Sequence, residues 1–259
     1  MQTPQESAFT RLLKIMDELR EQCPWDKKQT IESLRHLTLE ETYELSDAIM
    51  EGNMLDLKKE LGDILLHIVF YAKIASEKNA FTITDVINSL CEKMIIRHPH
   101  IYGDVKVENA EQVKQNWEKI KLNQEGTRSV LSGVPKGLPA LIKAERIQEK
   151  VRGVGFDWEN AEQAWQKVEE EMNELKAEII SEKSAEKTEE EFGDVLFALI
   201  NYSRFLHISP ETALEKANKK FIRRFEFIEQ KVNEQGKRIT DSNLTEMDGF
   251  WNEAKKQGL

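Results

Sequence analysis

The chain has 259 residues, 39% of them hydrophobic, with a formal net charge of −10 at pH 7. That length accommodates one large domain or two of about 120 residues, each with a real core. The acidic balance excludes a nucleic-acid backbone as main partner, since phosphate binding wants clustered Lys and Arg, and it favours cations instead.

Two cysteines, Cys23 and Cys91, give no disulfide framework and suit a reducing compartment. The opening MQTPQESAFT lacks the basic and apolar blocks of a signal peptide. No stretch approaches the roughly 18 apolar residues of a membrane span. The expectation is a soluble, cytoplasmic protein with neither membrane nor nucleic acid as partner.

From the N-terminus onward, helical periodicity dominates. FTRLLKIMDEL from Phe9, AFTITDVINSLCEKMI from Ala80 and ETALEKANKKFIRRFEFIEQ from Glu211 place apolar residues three and four apart, and alternating runs are scarce. The fold class is therefore all-α. Thr82 and Ser209 stand as N-caps, with Pro210 in a tolerated first turn, while Gly52-Asn53 and Gly103-Asp104 mark stops. NQEGTRSVLSGVPKGLP is the region rich in Gly, Ser and Pro. It predicts a linker over 123–137 between domains at 1–122 and 138–259.

The two sides of that linker repeat each other. LEETYEL (39–45) answers EEEMNEL (169–175) at a displacement of 130 positions, and ELGDILL (60–66) answers EFGDVLF (191–197) at 131. Lys93 and Arg97 answer Lys220 and Arg224, and NWEKIK from Asn116 answers FWNEAK from Phe250. Four matches in order indicate a tandem duplication, each half a bundle of four or five helices, an architecture suited to dimers.

The repeated segments carry carboxylates inside apolar stripes. In the second half Glu171 falls on the stripe Ala164, Val168, Leu175, Ile179 with Glu174 beside it. Glu191 and Asp194 share a face with Ala198, Tyr202 and Phe205. In the first half Glu41 lies among Leu34, Leu37, Leu45 and Ala48 with Glu44 adjacent, followed by Glu60 and Asp63.

Four carboxylates buried together need a compensating positive charge. Two helices each presenting an i, i+3 pair offer the all-oxygen environment that Mg2+ or Mn2+ prefers, whereas His and Cys do not share the spacing that zinc would want. A lone ExxE in a chain with 47 acidic residues is close to noise, with salt bridges to Lys58, Lys59, Lys176 or Lys187 as its plain explanation. Duplication at matched offsets tips the balance to metal.

Lys220 and Arg224 lie four apart on one helix face, and Lys93 with Arg97 repeats them. Alone they read equally well as a solvated basic face; beside a metal they suit a polyphosphate. Trp117 and Trp251 sit in polar terminal helices, where a ring can stack on a base or pack in a core. His98 and His100 around Pro99 read as a helix end, and Cys23 has no activating neighbour. GxxxxGK[ST], GxGxxG and GxSxG are all absent, which removes the P-loop, Rossmann and serine-hydrolase readings.

With EExxE, a gap, then ExxD, met by Glu170, Glu171 and Glu174 with Glu191 and Asp194, and again by Glu40, Glu41 and Glu44 with Glu60 and Asp63, the chain resembles the MazG family of nucleoside triphosphate pyrophosphohydrolases in the all-α NTP pyrophosphatase superfamily. CPWDKKQT and IRHPH are further MazG-like stretches, and the resemblance covers nearly the whole chain.

It implies hydrolysis of NTPs or dNTPs, ATP among them, to the monophosphate and pyrophosphate, in nucleotide-pool control or housecleaning, with Mg2+ as cofactor and a tandem-domain homodimer. By the same resemblance Glu171, Glu174, Glu191 and Asp194 are the metal ligands and catalytic residues. Lys167, Glu170, Lys220, Arg224 and Trp251 face the substrate. The second candidate set is Glu41, Glu44, Glu60, Asp63, Lys93, Arg97 and Trp117.

Lys167 has Leu37 as counterpart, so the second half holds one more cation and is the expected active site. The alternative, a non-catalytic helical module binding nucleotides or a protein, predicts no stabilisation by Mg2+.

Overall fold

The computed structural model describes residues 3–109, 112–113, 116–117, 120, 129–181 and 184–259. Among these residues the regular structure is helical, without a strand, and no helix is long and apolar enough to cross a membrane. The chain forms two compact units, Met1–Val113 and Lys114–Leu259.

In the first unit, α1 (Pro4–Gln22) starts at Thr3, whose hydroxyl accepts from the Glu6 N–H while the Glu6 carboxylate accepts from the Thr3 N–H, so two orphan donors are satisfied at once. Helix α2 (Ile31–Glu51) ends at Gly52, where φ of 67° requires a residue without a Cβ penalty. Asn53 then caps α3 (Met54–Glu77), and α2 and α3 pack along each other as a helical hairpin.

Thr82 caps α4 (Ile83–Arg97), which stops before Pro99 and the short α5 (Pro99–Tyr102). The core gathers Met16, Leu34, Val69, Phe70 and Ile74, with Leu37 and Leu66 against it.

The second unit contains α6 (Ala140–Arg152), α7 (Ala161–Ser181), α8 (Ala185–Phe205), α9 (Pro210–Glu234) and α10 (Leu244–Lys256). Helices α7 and α8 pack along each other, α6 lies against α8, and α10 lies against α9. Ser209 accepts from the Thr212 N–H with Pro210 in the first turn, as the sequence pattern anticipates.

Of the stretch expected to link the halves, residues 123–128 lie outside the described residues. From Ser129 the chain makes a turn at Val130–Gly133 that packs on α6, where the Lys150 ammonium donates to the Val130 carbonyl at 3.3 Å. The counterparts α4 and α9 differ in length, 15 against 25 residues, because Pro99 stops the first.

Candidate metal and nucleotide site

Helices α7 and α8 bring Glu171, Glu191 and Asp194 together, with one ligand oxygen from each lying within 4.8 Å of the others. Helices α2 and α3 do the same with Glu41, Glu60 and Asp63. Among the described residues these are the two His, Cys, Asp or Glu groups close enough to hold an ion, and both are all-carboxylate. That donor set fits a hard divalent cation.

An observation within the first cluster points the same way. Glu60 is 5% exposed, and its Oε2 is buried without a hydrogen-bond partner, although its Oε1 accepts from Lys59 at 3.0 Å. A buried carboxylate oxygen lacking a donor is costly, and a cation in the cluster would satisfy it.

The burial pattern differs from the expectation of four inward carboxylates. Only Glu171 in the second cluster and Glu60 in the first are buried, at 8% and 5%; Glu41, Asp63 and Glu191 are half-buried, and Glu44, Glu174 and Asp194 are exposed. The apolar stripe of α7 fades along its length, from Val168 at 0% to Ile179 at 56% exposed. Each site is thus open at its rim, which lowers the desolvation cost and leaves an entry path.

Glu174 stands beside the second cluster. Desolvation chiefly, and then the neighbouring Glu171, push its carboxyl above the ordinary range. Glu41 is pushed up in the same way, by desolvation and then by Asp63, Glu44 and Glu60.

Cations stand at both clusters. Lys167 reaches Glu170 at 2.7 Å and Glu171 at 2.8 Å, and these bonds raise its pKa. Its counterpart Leu37 packs on the first core, yet the first cluster has a cation of its own, Lys59, 3.0 Å from Glu60 and 3.7 Å from Glu44. The counting of cations by repeat position missed it, because Lys59 comes from α3 while Lys167 comes from α7. A long side chain reaches the same point from a neighbouring helix.

Lys220, Arg224 and Trp251 belong to a grouping on α9 and α10. Arg224 lies over the Trp251 ring at 5.2 Å and its Nε donates to the Leu259 carbonyl at 2.7 Å; Trp251 also meets Phe221 at 5.2 Å, while Lys220 is exposed. In the other repeat Lys93 is exposed, and Arg97 is half-buried with its Nε lacking a partner. Trp117, half-buried, falls after the division at Val113. His98 and His100 place their rings 5.5 Å apart at the end of α4, outside both carboxylate groups.

A cavity of about 480 Å³ opens from the second cluster. Lys167, Glu171, Asp194 and Asp157 are the charged residues of its lining, which is otherwise mostly apolar and includes Phe156, Trp158, Phe197, Ala198 and the amide of Asn201. The sequence pattern places Ala198 on the face of Glu191 and Asp194 but does not single out the other apolar residues or Asn201, which a comparison of the two repeats beyond the acidic motif would have exposed.

Comparison with known proteins follows the same division. The family profile for the MazG nucleotide pyrophosphohydrolase domain matches twice, at residues 29–102 and 159–227, and each match contains one carboxylate cluster. A protein of Thermotoga maritima named nucleoside triphosphate pyrophosphohydrolase/pyrophosphatase MazG is 45% identical over 95% of each chain. The Escherichia coli K12 protein named nucleoside triphosphate pyrophosphohydrolase is 40% identical over 96% of this chain and 97% of its own. A crystal structure of a mazG-related protein from Thermotoga maritima aligns over 43% of this chain and 97% of its own, with a TM-score of 0.39 and 27% identity.

Proposed function

The chain belongs to the MazG family of nucleotide pyrophosphohydrolases, and on that premise we propose that its reaction, NTP or dNTP plus water to the monophosphate plus pyrophosphate, runs at Glu171, Glu174, Glu191 and Asp194. The observation that carries this reading is the convergence of three carboxylates within 4.8 Å, two of which, Glu171 and Asp194, line a cavity of about 480 Å³.

Glu171, Glu191 and Asp194 would hold the divalent ion, with Glu174 completing the set from the same face of α7. Mg2+ is the proposed ion, with Mn2+ able to replace it. When bound there, it supplies positive charge for the polyphosphate and makes the attacking water more acidic. One of the carboxylates takes the proton of that water.

Lys167 stands within a side-chain swing of anything bound at Glu171, and there it neutralises the charge of the substrate's triphosphate. Glu170 tethers Lys167 between turnovers. Lys220 and Arg224 are the further phosphate-facing cations and Trp251 is an aromatic neighbour of the substrate. The first cluster, with Lys93 and Arg97 as its companions, binds metal and turns over poorly.

The working form is a cytoplasmic homodimer. Phe192, Leu196 and Leu199 form an apolar stripe on α8, 55%, 48% and 40% exposed, and Leu61, Leu65 and Ile68 repeat it on α3. Stripes this apolar suit a pairing surface.

Ion-exchange separation of the products of ATP with Mg2+ tests the reaction. AMP and pyrophosphate are expected, with loss of activity in excess EDTA; ADP and orthophosphate would overturn the reaction type.

A further inference from the structure

We infer that Lys59 is a tethered counter-ion of the first carboxylate cluster, which competes with a divalent ion there and makes the two ion sites of the chain unequal, the first weaker than the second. This deepens the metal assignment proposed above and rests on it.

The geometry places Lys59 where an ion would act. Its ammonium lies 3.0 Å from Glu60 Oε1 on α3 and 3.7 Å from Glu44 Oε2 on α2, so one cation draws on carboxylates from both helices of the hairpin. Glu60 is the buried member of the cluster, 5% exposed, and its Oε2 still has no hydrogen-bond partner. The lysine thus neutralises one edge of the cluster and leaves the deeper oxygen to a ligand. An ion that meets that oxygen is repelled by a positive charge already held on the same carboxylate.

The duplication supplies a comparison within the molecule. KKELGD at 58–63 answers EEEFGD at 189–194 at the displacement of 131 positions, so the second unit carries Glu189 and Glu190 where the first carries Lys58 and Lys59. Lys167 offsets part of this reversal, but it binds Glu170 and Glu171 of its own helix, at 2.7 and 2.8 Å. Lys59 engages Glu44, which answers Glu174 at the displacement of 130 positions. The first cluster therefore has its fourth carboxylate turned to an internal cation and a more positive approach.

Exposure sets the size of the effect. The Lys59 side chain is 64% exposed, so it can swing into water when an ion enters and does not block the site. Its tether keeps the charge within a Debye length of the cluster, about 8 Å at physiological ionic strength, which weakens ion binding without abolishing it. With no ion bound, the same charge relieves the repulsion among Glu41, Glu44, Glu60 and Asp63.

The test titrates the full chain with Mn2+, following the free ion by its EPR signal, and repeats the titration on E60Q, E171Q, K59E, K59R and E190K. Wild type should bind Mn2+ in two phases, the weaker lost in E60Q and the tighter lost in E171Q. K59E, which installs the second unit's residue, should tighten the weaker phase about tenfold and leave the tighter one unchanged. E190K should loosen the tighter phase, and K59R, which keeps the charge, should behave as wild type. The gain in K59E should shrink as KCl screens it. As a second readout, K59E should melt below wild type without metal and recover the difference in Mn2+.

A weaker phase of wild-type affinity in K59E overturns the inference, as does loss of the tighter phase in E60Q. A single phase, removed by E171Q and untouched by E60Q, also overturns it and leaves the metal assignment of the second cluster standing. Absence of Mn2+ binding to wild type removes the metal assignment and this inference together.

Discussion

At the scale of single residues, Glu171 joins the two requirements of the proposed site, because it belongs to the carboxylate cluster and is 8% exposed. Glu171→Gln removes a ligand oxygen's charge at nearly constant shape. Turnover should fall by about 100-fold or more, while the melting temperature without metal holds or rises, since one like charge leaves an acidic cluster. Retained turnover would move the chemistry elsewhere.

Lys167→Leu, which copies position 37, should raise KM for triphosphates more than it lowers kcat, because the cation attends a group present in both ground and transition states. The reverse split, a lower kcat at constant KM, would make Lys167 a transition-state group. The acids at both clusters were legible from the sequence because repeat and helical spacing fix a face. The cation count was not, since Lys59 enters its cluster from a different helix than Lys167 does.

Among the elements, α1 and α3 are joined by Arg20 and Glu77, a two-pronged contact in which Arg20 also donates to backbone carbonyls of Asp26 and Gln29. The hydrogen bond from Arg20 holds the Glu77 carboxyl below its ordinary range. Because the folded pKa is depressed, the stabilisation is present above the ordinary carboxylate value of 4.5 and is lost as pH falls through the lower folded value.

Glu77→Gln should accordingly cost roughly 1 kcal/mol at neutral pH, and melting curves of wild type and variant should converge in acid. A difference that persists in strong acid would rule out the charge as its source. The elements themselves were largely readable: Thr82, Ser209 and the Gly52-Asn53 turn act where helix-end chemistry puts them. The Phe156–Trp158 segment was not readable, because its position depends on the tie from Asp157 to Arg204, 47 residues away.

For the whole molecule, duplication followed by divergence is the basis of the proposed division of labour. Both units keep three converging carboxylates and an apolar stripe on the helix that carries two of them, but the first fills with His67 and Phe70 the positions that the second leaves to Ala198 and Asn201. The stripes predict a dimer: sedimentation velocity should give about twice the 30.1 kDa chain mass, and Leu196→Lys should shift it toward monomer. An unchanged wild-type monomer at all concentrations would remove that assignment.

The central claim, that pyrophosphate is released at the second cluster, is tested most directly by pairing Glu171→Gln with Glu60→Gln in the full chain, each variant assayed for monophosphate and pyrophosphate under saturating Mg2+. Pyrophosphate release should vanish in Glu171→Gln and persist in Glu60→Gln. Activity lost in Glu60→Gln and kept in Glu171→Gln would contradict the account and assign the chemistry to Glu41, Glu60 and Asp63.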